Sequence, residues 1–379
     1  MTVEQIYQIV NTVTKEVLGD SVVVEEDLSN IVSIGDTIEN LAAMDRYVKS
    51  LVDHIGKVIF VNRVYRGSTP SVMMDGWEYG AILEKVTYDE LPEATENESW
   101  ELEDQQTYEQ DMFYQPKVSA KFFSKKTTFE IPMSFAERQV KSAFDNVSQL
   151  NSFFSMIEIA IQTSMTIKTD GLIERTINNM IGETLSLSTP GVKVVNLLKD
   201  YNTKFNKNLT LASCITDPEF IRYSSLQFML WSDRMTKAST MFNAGGKVRH
   251  TPKEAQHLIM LSEFRDAAGV YLQSDTFHNE YTALPNAESV AYWQGSGTDF
   301  GISSTSLVKI KTAGGNTVNQ AGVLGVMFDR NALGVANLDR RVTTHYNAKA
   351  EFYNNWYKAD AGYFNDLNEN FVVFIADPS

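Results

Sequence analysis

The residues best placed to do chemistry are a glycine-lysine loop, an acid and asparagine cluster, five histidines and one cysteine, and each fails on spacing. Residues 244–247 read AGGK, like the end of a phosphate-cradling loop. The upstream glycine is missing, however, and Val248 stands where a Ser or Thr must hold magnesium. Gly295 and Gly297 begin like a dinucleotide fingerprint, yet Phe300 occupies the last glycine position and no clear strand precedes them. Asp329, Asn331 and Gly334 mimic the start of a calcium loop, but Leu333 and Arg340 fall where ligands are required, the second in place of a bidentate acid. The histidines, His54, His250, His257, His278 and His345, form neither HxxxH nor HExxH. His278 beside Glu280 is the best titratable pair and reads as ordinary polar surface. Cys214, alone in the apolar run LTLASCI, excludes an internal disulfide and reads as a small buried hydrophobe. The expectation is a chain without catalytic, cofactor-binding or metal-ligating residues.

Charge segregation is the stronger signal. Glu84, Asp89, Glu90, Glu93, Glu96, Glu98, Glu101, Glu103, Asp104, Glu109 and Asp111 follow one another with Lys85 as their only basic neighbour. Lys117, Lys121 and Lys125 come next, all odd-numbered, so an extended chain would project them from one face. Such an acidic block is either a solvated surface or a docking arm. In the second case Glu93, Glu96, Glu98, Glu101, Glu103 and Asp104 of one copy would meet Lys117, Lys121, Lys125, Arg63 or Arg66 of the next. Pairing of that kind fixes register more than it adds affinity.

These residues need elements to carry them. A chain of 379 residues is long for one core and predicts two or three units. Its 43% apolar and 21% charged content is that of a folding globular protein. The formal charge of −15 repels phosphate backbones and excludes tight nucleic-acid binding. The N-terminus lacks the basic and apolar regions of a secretory signal, and no apolar run nears a membrane span, so a soluble, cytoplasm-made protein is expected.

Ile6, Ile9, Val10, Val13 and Val17 recur at helical spacing before Gly19 and give an amphipathic helix with no obvious internal partner. Asp36 or Thr37 can cap a second helix carrying Ile38, Leu41, Met44, Tyr47, Val48 and Leu51, and VIFVNRVY then has a strand pattern. Pro70, Gly76, Gly80, Pro92 and Pro116 punctuate a long excursion built on a hairpin. Ser134 and Glu137 fit a capping box opening a helix to Phe144. The run from Val147 to Leu185 is one long helix or two in tandem, with Gly171 and Gly182 as weak points. Asp217, Pro218 and Glu219 open a helix through Trp231, and Thr251, Pro252 and Glu254 open another. HLIMLSEF and VYLQ look like buried strands.

Last come the apolar strand AGVLGVMF, the stretch FDRNALGV and an aromatic, asparagine-rich run whose rings are Tyr346, Phe352, Tyr353, Trp356, Tyr357, Tyr363, Phe364, Phe371 and Phe374. Most of these rings are expected in a domain core, with amides bonding stray backbone groups. In the order of its parts the chain resembles tailed-bacteriophage major capsid proteins of the Hong-Kong-97-like fold, which encapsulins share. The resemblance implies an α+β fold with an N-terminal arm (1–61), an extended loop (62–131), a peripheral domain with a spine helix (132–190), an apical domain (191–320) and C-terminal strands completing both (321–379). It implies self-assembly through hexamers and pentamers into an icosahedral shell around double-stranded DNA, a virion location and no enzymatic activity. A separate scaffold protein or none is expected, a portal and decoration proteins are candidate partners, and contact with DNA is expected to be only weak. An encapsulin-like compartment is the alternative, and an acidic carboxylate-pair hydrolase a more distant one.

Overall fold

The computed structural model describes residues 3–20, 22–40, 43–55, 69–74, 82–88, 94, 96–97, 99, 101–108, 111, 113–115, 117–136, 138–139, 146–187, 193–273, 287–293 and 307–378. The strand pattern of VIFVNRVY and most of the helix expected after Ser134 lie outside them. Two units are each assembled from separated stretches: residues 1–80, 126–173 and 335–362 form the first, and residues 81–125, 174–334 and 363–379 the second.

In the first unit, the apolar spacing noted above builds α1 (Val3–Leu18), which stops at Gly19 with φ +90°. Then follow α2 (Ile31–Asn40) and α3 (Met44–Ile55). Asp36 and Thr37 lie inside α2 rather than capping a single longer helix, and the Thr37 hydroxyl donates back to Ser33 O at 2.8 Å. Contrary to expectation, α1 has an internal partner. Ile6, Ile9, Val10 and Val13 are buried in a core with Tyr47, Leu51, Leu150, Phe154, Ile157, Tyr353 and Tyr357. Those partners are mostly more than a hundred residues away in sequence, which is why the helix looked unaccompanied.

The core's floor is a sheet of four strands in the order β1-β11-β12-β4: β1 (Met73–Met74), β4 (Lys126–Ala136), β11 (Leu333–Asn347) and β12 (Phe352–Asn365). Antiparallel pairing runs from Phe352↔Ala136 to Gly362↔Lys126, so strict alternation sends Phe135, Tyr353, Tyr357 and Ala359 to the core. Cross-strand polar pairs hold the opposite face, among them Thr128 Oγ1 on Asp360 at 2.6 Å, Lys358 on Glu130 at 3.3 Å and Ser134 Oγ on Asn354 at 2.6 Å. A hydrogen bond from Arg341 chiefly holds the Asp360 carboxyl below its ordinary value. Ser134 is thus a strand residue and caps no helix, because register with β12 outweighs the local capping signal. Pro132 is tolerated because β4 is the edge of the sheet.

A single helix, α4 (Val147–Leu187, 41 residues), carries the chain onward and contributes to both units. Gly182 is a packing site rather than a weak point, since a Cβ there would stand 3.1 Å from Ile310. The second unit is built on a five-stranded sheet in the order β5-β13-β10-β6-β7: β5 (Val194–Asn196), β6 (Gln256–Leu261), β7 (Glu288–Val290), β10 (Val323–Asp329) and β13 (Phe371–Ile375). Every residue of β10 and β13 is buried, as apolar strands covered on both faces must be.

Helices α5 (Leu197–Phe205), α6 (Leu211–Cys214), α7 (Pro218–Met235) and α8 (Ser262–Gln273) belong to the same unit. Asp217 caps α7 as its sequence demands, accepting the Phe220 N–H at 2.9 Å. Phe228 on α7 meets Phe374 at 4.2 Å and Phe264 at 5.9 Å between ring centroids. Two expectations fail here: VYLQ lies in α8, and Thr251-Pro252 leads only into a three-residue 3₁₀ turn, Lys253–Ala255, before β6. In both, pairing and packing with distant strands decide what short apolar runs cannot. The hairpin of β8 (Val308–Lys311) and β9 (Thr317–Gln320) turns through Gly315 at φ +85°. No helix among the described residues is long and apolar enough to cross a membrane.

Candidate functional site

The motifs that failed on spacing are structural where they fall within the described residues; His278, Glu280, Gly295, Gly297 and Phe300 lie outside them. Asn243 clamps the AGGK loop by accepting Lys247 N–H at 2.8 Å and donating to Lys247 O at 2.7 Å, and a side chain at Gly245 would collide with Asn368. Asp329 accepts from Thr251 Oγ1 and from Asn331 N–H, each at 2.8 Å, and so closes a buried turn. His257 stacks on Phe328 with centroids 5.7 Å apart, and burial chiefly lowers its pKa. Cys214 is buried, its Sγ donates to Leu211 O at 3.2 Å, and burial pushes its thiol up to about 12. Among the described residues no group of three or more His, Cys, Asp or Glu is arranged to hold a metal ion.

The most unusual chemistry lies under the hairpin formed by β2 (Leu83–Tyr88) and β3 (Val118–Phe123). Its antiparallel register sets Lys85 directly opposite Lys121. Two ammonium groups facing each other across strands repel unless an anion lies between them. Asp366, in the turn between β12 and β13, is that anion: its Oδ2 takes Lys85 Nζ and its Oδ1 takes Lys121 Nζ, both at 2.9 Å. Lys85 also reaches Glu369 at 3.2 Å and Asn331 O at 3.0 Å, and Glu369 continues to Arg249 at 3.5 Å. Charges of alternate sign therefore run Lys121, Asp366, Lys85, Glu369, Arg249. The Asp366 side chain is 1% exposed and that of Lys85 16%. Burial alone would raise the Asp366 carboxyl, but hydrogen bonds from Lys121 and Lys85 outweigh it and hold the group below the ordinary carboxylate range. Asp366 N–H donates to Ala332 O at 2.7 Å, which fixes the turn, and Phe123 packs on Phe364 at 5.1 Å beside the charges.

Alternation gives the hairpin two unlike faces. Leu83, Lys85, Thr87, Ser119, Lys121 and Phe123 are partly buried, whereas Glu84, Val86, Tyr88, Val118, Ala120 and Phe122 are exposed. The charged face points inward and the largely apolar face outward, the reverse of an ordinary surface hairpin.

Of the residues expected to meet a neighbouring copy, Glu96, Glu101, Glu103 and Asp104 are exposed. Glu103 accepts from Gln106 Nε2 at 2.8 Å. Arg63, Arg66, Glu93 and Glu98 lie outside the described residues. Lys117 precedes β3 and Lys125 follows it, both exposed, so the three lysines do not share one strand face. Lys121 is not a spare cation: it is bound to Asp366 of its own chain. Sequence reading missed Lys85, Asp366, Glu369 and Arg249. The only advance signal was a lone lysine in an acidic run, which becomes meaningful once the register sets it against Lys121.

A family model described as Phi29-like phage major capsid protein matches residues 10–375. No curated protein matches the sequence. Among solved structures, a chain of "Structure of head fiber and inner core protein gp22 of native bacteriophage P68" is similar with TM-score 0.50 and 9% identity, over 84% of this chain and 87% of that one. A chain of the capsid structure of Staphylococcus phage Andhra gives TM-score 0.49 and 9% identity over 84% and 87% of the two chains. A chain of the capsid structure of cyanophage P-SCSP1u gives 0.43 and 10% over 84% and 90%.

Proposed function

The chain belongs to the Phi29-like phage major capsid protein family, and from that membership we propose that its copies gather as hexamers and pentamers and close an icosahedral shell around double-stranded DNA. It is a head-shell protein with the Hong-Kong-97-like α+β fold. The family implies a structural role and a place in the virion. One observation carries the reading: the family match spans nearly the whole chain, from residue 10 to residue 375. A net charge of −15 suits a wall that faces packaged DNA without adhering to it.

In this proposal the first unit is the peripheral domain, the second the apical domain, and the β2–β3 hairpin with its connecting stretch is the extended loop that reaches a neighbour. Exposed Glu96, Glu101, Glu103 and Asp104 pair with Lys117 and Lys125 of the next copy and set its register. The first 60 residues hold no sustained heptad, and α1 is consumed in the core of its own unit. A separate scaffold protein, or none, is part of this proposal. Electron microscopy and sedimentation velocity of the purified chain at several concentrations test the proposal. Closed shells, tubes or rings of five and six subunits are expected; a compact monomer at every concentration would refute it.

A further inference from the structure

We propose that Asn355 is a destabilising residue built into the first unit, and that its unbonded amide lets the layer α1–α3 lift from the sheet more often than an all-apolar core would allow. Asn355 lies on β12 between Tyr353 and Tyr357, on the face that strand alternation sends into the core. It stands opposite Met133 of β4, which packs against the same core. The residue is 0% exposed, so protein atoms cover it on every side. Neither its Nδ2 nor its Oδ1 meets a hydrogen-bond partner. Among the described residues no other side-chain amide is buried with both ends unbonded. Thr344 Oγ1, on the strand at the other side of β12, is covered and unbonded as well.

Elsewhere the molecule satisfies such groups. In the same core the hydroxyls of Thr14 and Tyr47 meet at 3.0 Å, and in the second unit Asn243 donates to Lys247 O at 2.7 Å and Asn370 to Thr251 Oγ1 at 3.1 Å. Asparagine is also a poor strand former. Position 355 therefore breaks two rules at once, and uncompensated breaches of that kind gather at functional sites. The covered amide raises the free energy of the closed unit, whereas water bonds it in any state that uncovers this face of β12. The whole difference biases the equilibrium between closed and open. The layer α1–α3 is the part placed to move. None of its described residues lies in a strand, and it meets the core through apolar side chains such as Ile9, Val10, Tyr47 and Leu51. It can lift while the ladder between β4 and β12 stays paired from end to end.

Native-state hydrogen exchange of the free subunit, read peptide by peptide by mass spectrometry, tests the inference. In Asn355→Leu, which keeps the branching and removes the polar atoms, amides of α1 and α3 should exchange about thirtyfold more slowly, a difference of about 2 kcal/mol. Peptides of β10 and β13 in the second unit should be unchanged. Asn355→Val, smaller and β-branched, should give the same pattern if leucine overfills the site. Exchange in α1 and α3 that is unchanged or faster in both variants would overturn the inference. So would equal slowing in the two units, which means global stabilisation without a local opening, or density for an ordered water bonded to the Asn355 amide. Because the measurement is made on single subunits, its outcome is separate from that of the shell function.

Discussion

Replacing Asp366 with alanine will destabilise the second unit by about 3–5 kcal/mol, because removing one partner of a buried ion pair strands the charge left behind. Two ammonium groups lose their shared anion at once, and Lys85 and Lys121 then face each other across the strands. Urea unfolding measures the loss, and hydrogen exchange at the amides of β2 and β3 should rise in parallel. Combining Asp366→Leu with Lys85→Met and Lys121→Met should recover most of the stability, since an apolar replacement leaves no charge unpaired. The pH dependence has a definite sign. The folded-state pKa of Asp366 is depressed, so its contribution is full above the unfolded value of about 3.9 and fades as pH falls through the folded value. The difference between parent and variant therefore stays constant near neutrality and shrinks only in acid. An alanine variant within 1 kcal/mol of the parent would show that the clamp does not hold the hairpin.

Val10→Asp is expected to cost at least about 4 kcal/mol, since it puts an unpaired carboxylate where a fully buried side chain now packs. Gln8→Asp, on the exposed side of α1, should change stability by less than about 0.5 kcal/mol. Thermal unfolding of the two variants separates a core helix from a detached arm: equal, small effects would mean that α1 does not belong to the first unit's core. This test bears on the reading that gave α1 no internal partner.

Local signals were legible wherever the chain's own neighbourhood decides the outcome. Asp217-Pro218-Glu219 starts α7 because cap, first-turn proline and acid all act within one turn. The apolar run of β10 could be read as a buried strand because its short length, between Gly322 and the charged pair Asp329-Arg330, left few alternatives. Ser134 failed for the opposite reason: a good capping pattern lost to eleven residues of register with β12, a stretch more than 200 positions away. The alternation of Lys117, Lys121 and Lys125 assumed one continuous strand, and β3 contains only the middle one. As for the site, the acidic composition of the excursion was visible. Its inversion, with charge inside and rings outside, depends on which face meets Asp366, and no periodicity encodes that.

The first unit's core joins α1, α2 and α3 to Tyr353, Tyr357 and Ala359, and in the second unit β13 lies between β5 and β10. Both cores are thus completed by strands made long after α3. At roughly 5–20 residues per second, the interval between finishing α3 and making its β12 partners is on the order of 15–60 s. A chain cut after Asn347 is accordingly expected to remain protease-sensitive in both units. Nascent copies crowded along one messenger therefore have no finished neighbour to meet, so assembly waits until β12 and β13 have been made.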